Sequence, residues 1–402
     1  MDSIEEDFEF SISEKLNPTL EQDEPFHTSE IITIAAAHGA HDTYFSYLPT
    51  LLPLLIENLS LNTTQAGLLN AFNQIPNLLQ PFIGYLADRK NLKYLVILAP
   101  TLSGILISLL GIAPTFGFAS FLMLLAGFST AGFHAIAPAM ISARSGKKVG
   151  KGMSFFMVGG ELGFGIGPLV VVATIGALGL AGLPWLMLLG MLASAILYFR
   201  LKDISTVHHA QKVSNVTVKE ALLEMRSIML PIAAIIFITG FLNANIINYL
   251  PTFMTKEGVA FSIAGASLAI VELGGTLGVF VMGQFSDRFG QRNVALLGIS
   301  GSILFAFGFL MLNGFLQLLM LVGVGLTAFL ANPAFLSITQ TRFSKNRSLA
   351  NGVYMSTSFI LRSIVVVIVG AASDVFGMRP VFMGSIFLAI MAIPFIFLLP
   401  RK

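Results

Sequence analysis

His38 and Asp42 stand four residues apart in the apolar run around Ala35-Ala36-Ala37-His38-Gly39-Ala40-His41-Asp42. On a helix that spacing puts both on one face. An imidazole beside a carboxylate can hand on a proton near neutral pH, because each shifts the other's affinity for it. The same two side chains would also serve to bond a neighbouring helix and fix packing. Arg362 lies ten residues into another apolar run, about 15 Å along a helix rising 1.5 Å per residue. Arginine keeps its proton, so Arg362 must pair with a carboxylate, face water or hold an anionic substrate. Glu272 and Asp42 are both open to it as partners.

Other polar groups lie in similar runs. Glu161 sits in Gly159-Gly160-Glu161-Leu162-Gly163, and Glu272 holds the register that Asn73 holds 199 residues earlier. Asn70, Asn73, Asn77 and Gln80 fall on one helical stripe, which faces either a water-filled cavity or a partner helix. His41, His134 and Asn245 complete the set; His134 follows small residues that permit close helix approach. Ionisable groups in such runs are expensive, and their default reading is functional. Asp42 with His38, then Glu161 and Glu272, are the candidates for proton coupling. Arg362, His41, Asn70, Asn73, Asn77, His134 and Asn245 are the candidates for substrate contact.

The elements that must carry these groups follow from composition. The chain is 55% hydrophobic and 11% charged, where a soluble domain has roughly 25% charged residues. Lipid is the solvent that leaves so much apolar surface unpenalised. About 20 apolar residues cross a bilayer core, and the chain divides into twelve such runs near 31–57, 63–87, 94–112, 117–142, 153–177, 181–200, 228–254, 262–285, 294–312, 315–341, 353–372 and 379–399. No cysteine is present, so disulfide and thiol chemistry are excluded. No zinc-type Cys/His cluster and no phosphate-cradling lysine loop occurs, so no cofactor is expected and the chain reads as a non-enzyme.

The twelve runs form two copies of one unit. Gly84-Tyr85-Leu86-Ala87-Asp88-Arg89 with Lys93 returns as Gly283-Gln284-Phe285-Ser286-Asp287-Arg288 with Arg292, 199 residues later. Tyr47-Leu48-Pro49-Thr50 returns as Tyr249-Leu250-Pro251-Thr252. Parallel repeats of hydrophobic segments point to a secondary transporter with its substrate between the halves. The expected division is an acidic, disordered tail over 1–30, a six-helix bundle over 31–200, a polar linker over 201–227 and a second bundle over 228–402. Of 23 Lys and Arg residues, 20 fall in the tails and the even-numbered junctions. Lys256 and Arg379 lie on the opposite side, and Arg362 lies within a span. Basic loops stay in the cytoplasm, which puts both termini there.

Gly84, Asp88 and Arg89 end the second span as Gly283, Asp287 and Arg288 end the eighth. Glycine admits a neighbouring helix, and the aspartate suits a helix N-terminus or an arginine. A contact of that kind can form in one conformation and break in another, which makes a latch. Gly163, Gly167 and Pro168 lower bulk and remove a backbone donor in the fifth span, which suits a hinge as well as plain packing.

On these residues the chain resembles the major facilitator superfamily over roughly 31–400. Gly84-x-x-x-Asp88-Arg89-x-x-x-Lys93 and its echo are similar to that family's loop between spans two and three, and Gly163-x-x-x-Gly167-Pro168 to its span-five antiporter motif, with Val171-Val172 in place of a following double glycine. A narrower likeness is to fosmidomycin-resistance-type efflux proteins. It rests on His38-x-x-x-Asp42, Leu51-Leu52-Pro53-Leu54-Leu55, Gln80-Pro81-x-x-Gly84, Gly132-Phe133-His134 and Gly159-Gly160-x-x-Gly163. The resemblance implies an all-α membrane protein with twelve transmembrane helices in two pseudo-symmetric six-helix bundles. It also implies proton-coupled export of a small, anionic or drug-like molecule. The rival readings are a proton-coupled uptake permease for a sugar-like or organic-anion nutrient, and a non-transporting membrane receptor or enzyme. The expected partners are small molecule, protons and lipid, with no nucleic acid; the expected setting is a bacterial inner membrane, as a monomer.

Overall fold

The computed structural model describes residues 25–87, 89–202, 218–343 and 347–400. Of 147, 218–224, 283–287, 340, 341, 347–349 and 351 it describes the backbone alone. Twelve helical segments run through the described residues. They are α1 (Thr28–Phe45 continuing as Tyr47–Asn58), α2 (Thr63–Gln74, a 3-10 turn Ile75–Leu79, then Gln80–Ala87), α3 (Lys93–Ile112), α4 (Phe116–Arg144), α5 (Val149–Leu178) and α6 (Leu180–Leu201). The second six are α7 (Val218–Asn243, a π turn Ala244–Asn248, then Leu250–Lys256), α8 (Phe261–Phe289), α9 (Gln291–Met311), α10 (Phe315–Ala328 and Ala331–Arg342), α11 (Arg347–Phe376) and α12 (Met378–Ile390 and Ile393–Ile396). The last residues of the expected tail join α1, where Glu30 meets Arg144 at 3.1 Å. Residues 1–24 and most of the expected linker lie outside the described residues.

Ten of these segments are long and apolar enough to cross a bilayer by composition alone. The other two are α1 and α2. Both are interrupted, and both carry the polar groups singled out above. Clustered polar side chains dilute the hydropathy of α1 and α2, whereas Glu161, Glu272 and Arg362 sit in spans that stay apolar enough to cross.

The two bundles meet along α2 with α11 and α5 with α8. Within the first bundle α5 packs closely on α1, and glycine makes the approach. A Cβ added at Gly39 would come within 2.8 Å of the Gly159 carbonyl oxygen. At the end carrying the α1–α2, α7–α8 and α11–α12 loops the bundles touch. A Cβ at Gly370 would lie 2.6 Å from Thr63 O, and the Tyr249 hydroxyl reaches the same Thr63 O at 3.4 Å. At the opposite end they part. Leu78, Leu79, Phe82 and Tyr85 of α2 are exposed, as are Ile360 and Ile364 of α11. A cleft of about 450 Å³ separates the two helices, lined by Ile75, Leu78, Phe359 and Ile364 among others.

Candidate functional site

His38, Asp42 and His134 come together in the first bundle. His38 Nε2 is 2.9 Å from one Asp42 oxygen, and His134 Nε2 is 3.7 Å from the other. The helical spacing of four sets the first contact; packing of α4 on α1 sets the second. Each imidazole is anchored through its other nitrogen, His38 Nδ1 to Phe156 O at 2.8 Å and His134 Nδ1 to Thr130 O at 3.1 Å. The Phe156 ring stacks on His38 with centroids 3.9 Å apart. His38 and Asp42 are buried, whereas the His134 side chain is 29% exposed.

His41 turns away from this group. It is fully buried against Phe133, with Nδ1 3.1 Å from the Ser103 hydroxyl. Glu161 is half-buried on α5, within electrostatic range of His38 and Asp42. Glu272 is buried on α8 and within range of Glu161 across the seam between the bundles. Four chargeable groups thus run from α1 through α5 to α8.

The α2 stripe is largely spent inside the protein. Asn73 donates to Met123 O at 3.4 Å, Asn77 to Gln74 at 3.2 Å, and Gln80 to Asn77 at 3.0 Å. Asn70 reaches the other bundle, donating to Asn248 at 2.6 Å. Asn245 is buried in the second bundle, on Phe241 O and the Ser385 hydroxyl. An amide stripe has several ways to satisfy its bonds in lipid, and here neighbouring helices take two of the four while α2 itself takes the other two.

Arg362 is exposed and donates to the Asn332 side chain at 2.8 Å. No carboxylate pairs with it among the described residues; neither Glu272 nor Asp42 is its partner. Beside it lies a pocket of about 30 Å³, lined by Thr239, Asn243, Ser302 and Asn332. That is room for one or two waters.

At the parted end, a Cβ added at Gly84 would meet nothing within 4 Å, and Arg89 lies over the Tyr85 ring at 4.0 Å. Among the described residues no helix comes close to Gly84. Arg288 is exposed. Asp88, and the side chains at Gly283 and Asp287, lie outside the described residues. Gly163 and Gly167 face α1, against Gly39 and Ser46, and α5 runs unbroken through Pro168.

Three contacts escaped the sequence reading. Asp374 caps the start of α2, Asn332 holds Arg362, and Phe156 fixes His38. Asp374 carried a signal of a sort, a carboxylate at the loop end of an apolar run. The other two are visible only once helices are packed.

A family profile described as Major Facilitator Superfamily matches residues 34–366. The chain belongs to the major facilitator superfamily. Among curated relatives of this superfamily, the fosmidomycin resistance protein of Escherichia coli is 26% identical over 91% of each chain. The uncharacterized MFS-type transporter YfnC of Bacillus subtilis is 25% identical over 92% of each. Solved structures agree on the fold. A bacterial homologue of the human lysosomal transporter Spinster, inward-facing and unoccupied, aligns with TM-score 0.75 at 17% identity, over 94% of this chain and 97% of that one. The nucleoside transporter NupG aligns with TM-score 0.69 at 16% identity, over 92% and 98%. The protein is thus a multi-pass membrane transporter of the superfamily rather than an enzyme.

Proposed function

We propose that the protein exports a small, anionic or drug-like molecule by alternating access, in exchange for protons. The observation that carries this reading is Arg362, a fixed cation within a membrane span that no carboxylate neutralises among the described residues. A permanent charge is costly in lipid unless something offsets it. An anionic cargo entering between the bundles would do so, with Asn332 presenting the guanidinium and His134 exposed on the first bundle. The likeness to a fosmidomycin resistance protein along nearly the whole chain supports efflux of a foreign compound.

Glu161 and Glu272 are the proposed proton carriers. They sit on opposite bundles, within each other's field, with Asp42 and His38 facing Glu161 from α1. A proton on either carboxylate removes their mutual repulsion and so favours the packing in which α5 and α8 are close there. Loss of that proton favours separation. The order of events is then physical. Anion binding at Arg362 and protonation at the seam bias the same two packed states, so each can drive the other.

With residues 31–200 and 228–402 as the two moving bodies, joined by the 201–227 linker, and both termini cytoplasmic, the conformation described here opens inward. Gly84, Asp88 and Arg89, with Gly283, Asp287 and Arg288, form the latch that closes that end in the opposite state. Gly163, Gly167 and Pro168 let α5 tilt as it does so. A bacterial inner membrane and a monomeric unit fit this reading. The test is a growth-inhibition panel across compound classes, with and without expression, followed by flux of the protected compound in proteoliposomes. Protection against no compound, together with uptake of an organic-anion or sugar-like nutrient, would replace export by the permease reading.

A further inference from the structure

Two imidazoles and one carboxylate in the first bundle bring their ligand atoms within 4.8 Å of one another. His38 Nδ1 lies 2.8 Å from Phe156 O, and His134 Nδ1 lies 3.1 Å from Thr130 O. A carbonyl oxygen only accepts, so each Nδ1 carries the hydrogen and donates it. In a neutral imidazole that leaves Nε2 as a bare lone pair. The two Nε2 atoms are 3.2 Å apart, and Asp42 oxygens lie 2.9 Å from His38 Nε2 and 3.7 Å from His134 Nε2. Three acceptors this close repel one another unless a positive charge stands among them.

Either a proton or a metal ion supplies that charge, and one proton can bridge only one of the three pairs, whereas an ion can meet all three residues. A tetrahedral ion bonded to imidazole nitrogen and carboxylate oxygen at about 2.0–2.1 Å sets its donor atoms about 3.3 Å apart. The two Nε2 atoms, 3.2 Å apart, match that edge, and one donor atom from each of the three residues lies within 4.8 Å of the others. A single proton on His38 satisfies one Asp42 oxygen and leaves the other, Oδ1, buried without a hydrogen bond. We propose that His38, Asp42 and His134 form a binding site for one divalent transition-metal ion, held through both Nε2 atoms and the carboxylate.

The surroundings have the build of such a site. Each ligating histidine spends its other nitrogen on a backbone carbonyl, which fixes tautomer and ring orientation. Phe156 stacks on His38, and a Cβ at Gly160 would come within 2.7 Å of His38 Nε2, so only glycine leaves the ring its place. Two nitrogens and one carboxylate suit zinc, cobalt or nickel; magnesium and calcium call for all-oxygen sets of six or more. Three protein ligands leave a fourth position, and His134 is the exposed member of the three, so that position opens on its side. The proposal does not depend on which cargo the protein exports.

Zinc titration of the purified, tag-free protein by calorimetry tests it, beside His134→Ala and Asp42→Asn and with His27→Ala as a control histidine outside the cluster. One zinc per chain is expected, weakened at least about tenfold in both cluster variants and unchanged in the control, with magnesium failing to compete. Absence of saturable zinc binding, or binding that survives both cluster substitutions, would overturn the site. Should either variant fail size-exclusion, the visible spectrum of the cobalt-loaded wild type decides instead. The intense bands of a four-coordinate ion support the site, and the weak bands of a six-coordinate ion, or none, refute it.

Discussion

Asp374 of α11 holds Thr64 of α2 at two points, taking its backbone N–H at 2.8 Å and its hydroxyl at 2.5 Å. The other carboxylate oxygen takes the Thr63 N–H at 2.7 Å. A carboxylate at the free N–H groups of a helix start is favoured both by hydrogen bonding and by the helix dipole. Here the carboxylate comes from one bundle and the helix from the other. The contact therefore belongs to the conformation in which this end is closed, and opening must break all three bonds.

Asp374→Asn keeps one acceptor and loses the charge. The closed end should weaken by about 1 kcal/mol, a roughly fivefold shift in the ratio of closed to open. The chain has no cysteine, so a pair of engineered cysteines flanking this contact reports the shift as slower cross-linking. Unchanged cross-linking would mean that the other contacts at this end, such as Tyr249 on Thr63, carry the closure alone.

Arg362→Gln should raise the KM of an anionic cargo at least tenfold, in line with the 1.5–3 kcal/mol of a hydrogen bond to a charged group. A neutral cargo should be little affected. Equal losses for both would mark Arg362 as a structural partner of Asn332 and nothing more.

Glycine positions separate packing from gating. Gly39→Ala drives a Cβ to 2.8 Å from the Gly159 carbonyl, so thermal stability in detergent should fall by about 1–3 kcal/mol. Gly84→Ala meets nothing within 4 Å and should fold at least as stably, by up to about 1 kcal/mol of helix propensity. If Gly84 admits a neighbouring helix in the opposite state, its variant should nonetheless transport more slowly. Wild-type flux in Gly84→Ala would remove it from the latch.

The fold was legible because lipid makes strict demands. Twelve apolar runs, a doubled motif and a one-sided distribution of basic residues leave few arrangements open, and α1 to α12 follow the expected runs closely. Pairings within the site were legible only where they are local. His38 with Asp42 follows from a spacing of four, whereas His134 joins them from 92 residues away through the packing of α4 on α1. The asparagine stripe shows the limit. Periodicity puts Asn73 and Asn77 on one face, but whether that face meets water or another helix depends on tertiary packing, which supplied Met123 O to Asn73 while Asn77 turned to Gln74 of its own helix.

Glu272→Gln should flatten the dependence of flux on the proton gradient while leaving cargo binding measurable, because the amide holds the volume and cannot take up the proton. A gradient response equal to wild type would move the coupling to Glu161 or elsewhere.

Flux under an imposed pH gradient in proteoliposomes bears most directly on the claim of proton-driven export. Protons running down their gradient should drive the cargo the other way, so the cargo should gather in the acidic compartment and collapse to equality when an ionophore removes the gradient. Accumulation in the alkaline compartment, or none with the gradient intact, would contradict exchange.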